Sequence, residues 1–371
     1  MGKGNTANKP CWCGSGKKYK KCHGSNIQIN KVKPSNMDLD LQKELKKDVC
    51  YAPHEYHTEC DSIMSAHSIS KSKHLKLIAN EKGYLYELKI NSGISHTHGK
   101  RIVNKISIKK SSTFYGFCSK HDKELFEPID NEFILDNKQI FLNLYRTISK
   151  ELYKKKNILN HQINNMPGYS IGLDSLHAQV YKPYLEKMTY FTKIAIRDLE
   201  SLKHKLDLEL IEKSFSKMKY YALIINKIPE IMNTFPWNVT IDVKNNKLID
   251  IHDISKIYNF MTVSSFVYQS DKGIILFSWL DELDSDECFE FIREFNKLSH
   301  IDKVKAFLKL SFVENEDIYF SQEWWDNLTD NQKETLINLI NETINFNNCE
   351  QLDVVNWKII EIKHNINLEI I

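Results

Sequence analysis

No apolar run in these 371 residues reaches the ~18–20 positions that a bilayer-crossing helix needs, so a helical membrane protein is not expected. The first residues are polar and lysine-rich and lack an apolar h-region, so no secretory signal is expected and cytoplasmic residence is the default. The C-terminal two-thirds holds no P-loop, no G-x-G-x-x-G, no nucleophile elbow and no HExxH, which leaves that part without a familiar catalytic signature. No internal repeat is visible either. What remains is a chain of ordinary globular composition, 42% hydrophobic and 27% charged, too long for one core and expected to form two or three units.

Two things are unevenly distributed. Net charge is only +3, yet residues 1–122 contain 22 Lys and Arg against 10 Asp and Glu. The remainder is acidic. Six of the eight cysteines fall in the same basic third. In a reducing compartment such cysteines read as metal ligands or thiols rather than as a disulfide framework. A metal-rich, basic end favours a polyanionic partner such as nucleic acid.

The densest cluster is Cys11-Trp-Cys13-Gly-Ser-Gly-Lys-Lys-Tyr-Lys-Lys-Cys22-His23. Four soft or borderline ligands within thirteen residues suit tetrahedral zinc, and so short and polar a segment has no core to hold it otherwise. Residues 9–24 resemble the SEC-C zinc motif, known from the C-terminus of a preprotein translocase motor. The resemblance covers ligand types, spacing and the intervening Gly-Ser-Gly and Lys-Lys-Tyr-Lys. It implies a structural Zn2+ on Cys11, Cys13, Cys22 and His23, and docking to a protein or ribosome.

A second, split cluster follows. Cys50 and Cys60 flank YAPHEYHTE, and Cys118 and His121 form a C-x2-H pair far downstream. These four make a second zinc set if the intervening strands fold back, with His54 and His57 as substitutes for one of the cysteines. The segment Ala66-His67-Ser68-Ile69 and the zinc pairs together resemble a divergent His-Asn-His (HNH, ββα-metal) endonuclease. Its two short C-x2-C pairs are missing here, and its middle Asn is not identifiable, with Asn80, Asn91 and Asn104 all candidates. The resemblance implies His67 as general base and Asp122 as ligand to a catalytic Mg2+ or Mn2+. His96 and His98 are further ligand candidates, and Lys100 and Arg101 are candidate phosphate contacts.

The expected fold class is α+β. Residues 1–24 are the zinc module, 25–49 a linker with a short helix at 37–48, and 50–135 a zinc-stabilised irregular α/β unit. Residues 136–215 form a helical connector, and 216–371 an α+β domain of unassigned role. Strands are expected at 84–90, 102–108, 113–118, 219–227, 238–243, 258–268 and 272–279. Helices are expected from about 137 to the Lys triplet at 154–156, then at 174–215, 285–297, 301–311 and 322–346, with a strand pair after Trp357. The expected function is a zinc-containing, divalent-metal-dependent nuclease acting on nucleic acid, with bacterial antiviral defence as its context. The competing expectation is a non-catalytic zinc-stabilised adaptor that binds protein through the zinc module or the C-terminal domain.

Overall fold

The structure is a computed structural model that describes residues 7–11, 16–22, 49–90, 101–164, 166, 175–282, 286–315, 317–339, 342–347 and 349–368. The fold is α+β. Strand β1 (Ile63–His67) leads into a short helical stretch, Lys71–Leu75 continuing through Lys76–Ile78. Strands β2 (Tyr84–Ile90), β3 (Arg101–Ser107) and β4 (Thr113–Cys118) come next, then helix α1 (Ser119–Asp130). The long helices α2 (Asn137–Asn164) and α3 (Ser175–Glu212) separate these from β5 (Met218–Ile225), β6 (Ile231–Trp237), β7 (Met261–Tyr268) and β8 (Lys272–Leu280). Helices α4 (Asp286–Asn296) and α5 (His300–Glu314), strand β9 (Ile318–Phe320), helices α6 (Gln322–Asp326) and α7 (Asp330–Leu339), and strand β10 (Ile359–His364) complete the chain.

Eight strands form one antiparallel sheet in the order β10-β5-β8-β7-β6-β9-β2-β3, while β1 and β4 pair separately. The β2–β3 hairpin therefore joins strands from the far end of the chain, with Tyr86, Glu87 and Leu88 opposite Phe320, Tyr319 and Ile318. Alternation along the central strands puts Tyr221, Leu223, Ile225, Val263, Ile275 and Phe277 on one face, packed with Phe291 and Phe295 of α4 and Phe307 of α5. The opposite face carries hydroxyls at its middle. There Asn143 Nδ2 donates to Ser264 Oγ (3.0 Å), and Thr147 and Thr234 hydroxyls meet at 2.7 Å, so α2 lies on this face through hydrogen bonds. Buried hydroxyls on a strand are tolerable only when so paired.

The chain divides into two compact units. One comprises Asp48–Ile90, Lys100–Tyr153 and Asp198–Ile371 and contains the whole sheet; the other comprises Met1–Lys47, Asn91–Gly99 and Lys154–Arg197. Charge follows this division more closely than it follows sequence position. The smaller unit has eighteen Lys and Arg against five Asp and Glu, a net of +13, which leaves −10 for the larger unit of the +3 chain.

Several boundaries differ from the sequence expectation. Helix α2 runs past the Lys triplet to Asn164, because lysine is a good helix former and no breaker occurs there. Residues 238–243 are not a strand; only Ile241 makes an isolated bridge, to Lys247, and the strand lies earlier, at 231–237. Its Pro236 sits beyond Asn233, where β9 ends, so the missing N–H falls where the strand has one neighbour. The expected helix 322–346 is broken into α6 and α7. Thr329 restarts the helix with a reciprocal cap: its N–H donates to Gln332 Oε1 (2.9 Å), and Gln332 N–H donates back to Thr329 Oγ1 (3.3 Å). One strand, β10, stands where a closing pair was expected. The helix expected at 37–48 lies outside the described residues.

Candidate metal centre and a carbonyl-held histidine

In the N-terminal motif, Cys11 N–H donates to Lys17 O (2.7 Å) and Tyr19 N–H to Lys9 O (2.8 Å), forming a small antiparallel hairpin. Gly16 turns it with φ +70°, a conformation that favours glycine. A single 3-10 turn, Tyr19–Lys21, then delivers Cys22. Cys11 is buried. Cys13 and His23 lie outside the described residues.

The second cluster closes as its donor set requires. Cys60 caps the 3-10 helix His54–Glu59, and Cys118 ends β4 and caps α1, its sulfur accepting from His121 N–H. That cap makes C-x2-H a chelating unit: one helical turn brings His121 back over Cys118. His121 Nδ1 lies 3.2 Å from Cys118 Sγ and 3.5 Å from both Cys50 Sγ and Cys60 Sγ. All four ligand atoms lie within 4.8 Å of one another. A tetrahedron with legs of ~2.0–2.3 Å has edges of about 3.3–3.8 Å, so the three edges from His121 are close to those of a zinc site. His54 and His57 are not in it; His57 Nε2 instead meets Ala52 O at 2.9 Å.

Both halves are tied down. Tyr51 N–H donates to Gly116 O (2.8 Å) and Ser119 N–H to Ser62 O (3.0 Å), and Lys120 pairs with Glu59 across the site. Electrostatics also favour a cation. Burial first, then the neighbouring thiols, pushes Cys60 up to about 12, and burial likewise raises Cys50. Burial also resists ionisation of Cys118, but N–H groups of His121 and Asp61 and hydrogen bonds from Cys60 and Cys50 bring it below the usual thiol value. Three thiolates here repel one another unless a divalent ion lies between them. His121 is lowered by burial, which keeps its imidazole in the neutral, ligating form.

At the far end of the β1–β4 ladder is His67, opposite Thr113, whereas Ile63 stands opposite Cys118; a bulge between Met64 and Ala66 shifts the register. Its Nδ1–H donates to Ser111 O at 3.0 Å, which leaves Nε2 as the basic nitrogen. Ser112, with φ 55°, holds the turn: its Oγ donates to Ile69 O (3.2 Å), and its carbonyl accepts from Ser68 N–H (2.9 Å). Burial is the main influence on His67 and lowers its pKa. Asp122, in the first turn of α1, has a buried, unpartnered Oδ1. Its pKa is raised, chiefly by burial, with Arg146 opposing and Asp130 adding. Among the described residues, neither His67 nor Asp122 joins three or more ligand atoms in mutual reach; the Cys50 cluster alone does so.

Arg146 of α2 was not anticipated. Its two terminal nitrogens donate to the two oxygens of Asp130, and its guanidinium lies 4.1 Å from the centroid of Phe126. A lone arginine inside the apolar periodicity Ile140, Phe141, Leu144, Tyr145, Ile148 was the available signal. Asp130, at the end of α1, also acts on the buried His74. Lys100, His96 and His98 lie outside the described residues, and Arg101 is described only as the first position of β3.

Residues 8–25 match the SEC-C motif family. Neither the curated proteins nor the solved structures contain a match to this chain. No helix among the described residues is long and apolar enough to cross a membrane.

Proposed function

We propose that the chain is a metal-dependent phosphodiesterase acting on nucleic acid, built on a zinc-stabilised ββα unit of HNH type. The observation that carries this is the placement of His67. It ends the first strand of an antiparallel pair, the pair is followed directly by helix α1, and a backbone carbonyl fixes its tautomer with Nε2 left basic. Cys50, Cys60, Cys118 and His121 fit structural zinc in donor type and spacing, and their closed set keeps that ion out of the chemistry. The SEC-C motif supplies a second structural zinc.

In the hydrolysis itself, His67 Nε2 takes the proton of a water whose oxygen bonds to phosphorus as the bond to the leaving sugar oxygen breaks, and that oxygen takes its proton from solvent water. A divalent ion, when bound, would neutralise charge on the phosphate, and Asp122 is the side chain proposed to hold it. Desolvation lowers the pKa of His67 and so keeps it neutral and competent as a base at physiological pH.

The test is cleavage of single- and double-stranded DNA and RNA with Mg2+ or Mn2+. His67→Ala is expected to abolish it while the zinc content of the protein stays unchanged. Cleavage retained in that variant would remove the assignment. A second reading, a zinc-stabilised binding protein without catalysis, draws on the burial of the Asp122 oxygen, which joins no ligand cluster among the described residues. It predicts no hydrolysis by the unmodified protein with either ion.

A further inference from the structure

We infer that the basic unit binds single-stranded nucleic acid, and that the exposed face of the first half of α3 is where unstacked bases lie. Of the four exposed aromatic side chains among the described residues, three fall within eight positions: Tyr184 (56% exposed), Tyr190 (47%) and Phe191 (39%). Val180, at 68%, extends the patch by one turn. Val180, Tyr184, Lys187 and Phe191 recur at i, i+4, i+7 and i+11, a single helical stripe about 16 Å long. Tyr190 flanks it, its ring 5.7 Å from that of Phe191 in an edge-on arrangement, and Lys187 Nζ lies 5.9 Å from the Phe191 centroid.

The stripe is not the packing face of the helix. Packing belongs to Leu185 and Tyr181, which meet Met166, and the Tyr181 hydroxyl donates to Met166 O at 3.1 Å. Ile196 is buried on that same side, about 150° around the helix from the stripe. Exposed rings alone would suit many partners, but charge selects among them. Residues 154–197 contain seven Lys and Arg against two Asp and Glu, within a unit of net +13. A cationic surface carrying solvent-facing rings fits a strand whose phosphates neutralise the lysines and whose bases stack on the aromatics. A duplex hides its base faces and offers the rings nothing. A second copy of this unit would bring +13 against +13.

Binding does not depend on cleavage, so the inference deepens the nuclease reading by naming the nucleic-acid form yet is tested apart from it. Full-length protein carrying His67→Ala is titrated into a fluorescein-labelled 20-nucleotide oligo-dT and into a matched duplex, followed by anisotropy across a salt series. The single strand is expected to bind more tightly, with affinity falling steeply as salt rises. Tyr184→Ala and Phe191→Ala are each expected to weaken binding roughly 5–150-fold, the range for loss of one stacked base, with unchanged thermal unfolding. Leucine at either position keeps apolar area without a π face and is expected to bind as weakly as alanine. Equal affinity for duplex, binding restored by leucine, or unaltered binding in the alanine variants would overturn the inference. So would a dimer in sedimentation that the alanine variants dissolve, which would assign the face to self-association.

Discussion

Arg146 and Asp130 form a bidentate fork, 2.9 Å on each arm, between the middle of α2 and the last residue of α1. The Arg146 side chain is only 3% exposed, whereas that of Asp130 is 38% exposed. The fork fixes the far end of α1, the helix whose first turn carries His121 and Asp122. Phe126, against which the guanidinium lies, is itself packed on Phe117 of β4 with ring centroids 4.9 Å apart. One arginine therefore ties α2, α1 and the β1–β4 pair together.

Replacing Arg146 with Ala should leave a desolvated Asp122 without its nearest compensating cation and strand one side of the fork. Breaking a fully buried pair costs about 3–5 kcal/mol, and the exposure of Asp130 places this change toward or below the lower end of that range. Lysine is expected to rescue little, because it cannot reproduce two parallel donors. Urea denaturation of both variants measures this. Unchanged stability in the alanine variant would show that the fork is not a structural tie.

The metal content should be two zinc ions per chain by elemental analysis. Cys118→Ser removes a buried ligand but keeps an oxygen able to cap α1, so it should lower the content to one while leaving the helix in place. Cys11→Ser should also lower it to one, while leaving the unfolding of the sheet-bearing unit unaltered. Cys60 is the exposed member of its set, so with zinc holding it as the thiolate it is the sulfur a thiol reagent reaches first, and zinc release on titration of one thiol per chain would show it.

What could be read in the sequence was what short range determines. Cys118-x2-His121 works because a helix N-terminus returns after one turn, and two cysteines elsewhere had to meet it if the set was to close. The strands at 84–90, 113–118 and 272–279 were legible from β-branched and aromatic runs. Residues 231–237 escaped because Pro229 and Pro236 bracket the run, and a proline is harmless only once the neighbouring strand is known to stop at Asn233. The break at Thr329 was legible in principle, since T-x-x-Q is a capping box, but the apolar periodicity on either side masked it. Arg146 with Asp130, and Asn143 with Ser264, depend on tertiary packing across 16 and 121 residues. Charge balance was similarly hidden. The Lys-rich helical segment at 154–197 lies in the acidic remainder by position, and folding returns it to the basic unit.

Stability should depend on pH through His74. Burial is the main cause that lowers its pKa to about 4, with Asp130 opposing and Arg146 and Lys73 adding. An unfolded histidine titrates near 6.5, so below that value the unfolded chain binds a proton that the folded chain refuses. The contribution is complete above about pH 6.5 and is lost as pH falls toward 4, by roughly 3 kcal/mol over the whole interval. His67 is lowered in the same direction and adds to the slope. Denaturant titrations at pH 7 and 5 should show the loss, and His74→Gln should shrink the difference between them. An identical difference in that variant would move the pH dependence from His74 to other groups, His67 and the thiolate cage among them.

Tyr145 connects the long helices to the metal cage. Its hydroxyl donates to Asp207 Oδ1 at 2.7 Å and lies 3.0 Å from the carbonyl of Tyr51, the residue after Cys50, while Lys203 Nζ donates to it at 2.9 Å. Lys203 also pairs with Asp207, so the ring hydroxyl sits within a closed Lys-Tyr-Asp network drawn from α2 and α3. Tyr145→Phe keeps the ring packed against Phe141 and Phe117 but removes the hydroxyl. The cost to folding should be about 1–3 kcal/mol, that of leaving buried partners unsatisfied. A distinct consequence follows at the cage. With its carbonyl anchor gone, the Cys50 segment should release zinc to a competing chelator about 10–100-fold more readily, as outer-shell substitutions at metal sites do. Zinc affinity unchanged alongside lowered stability would mean that the network supports the helices but not the metal.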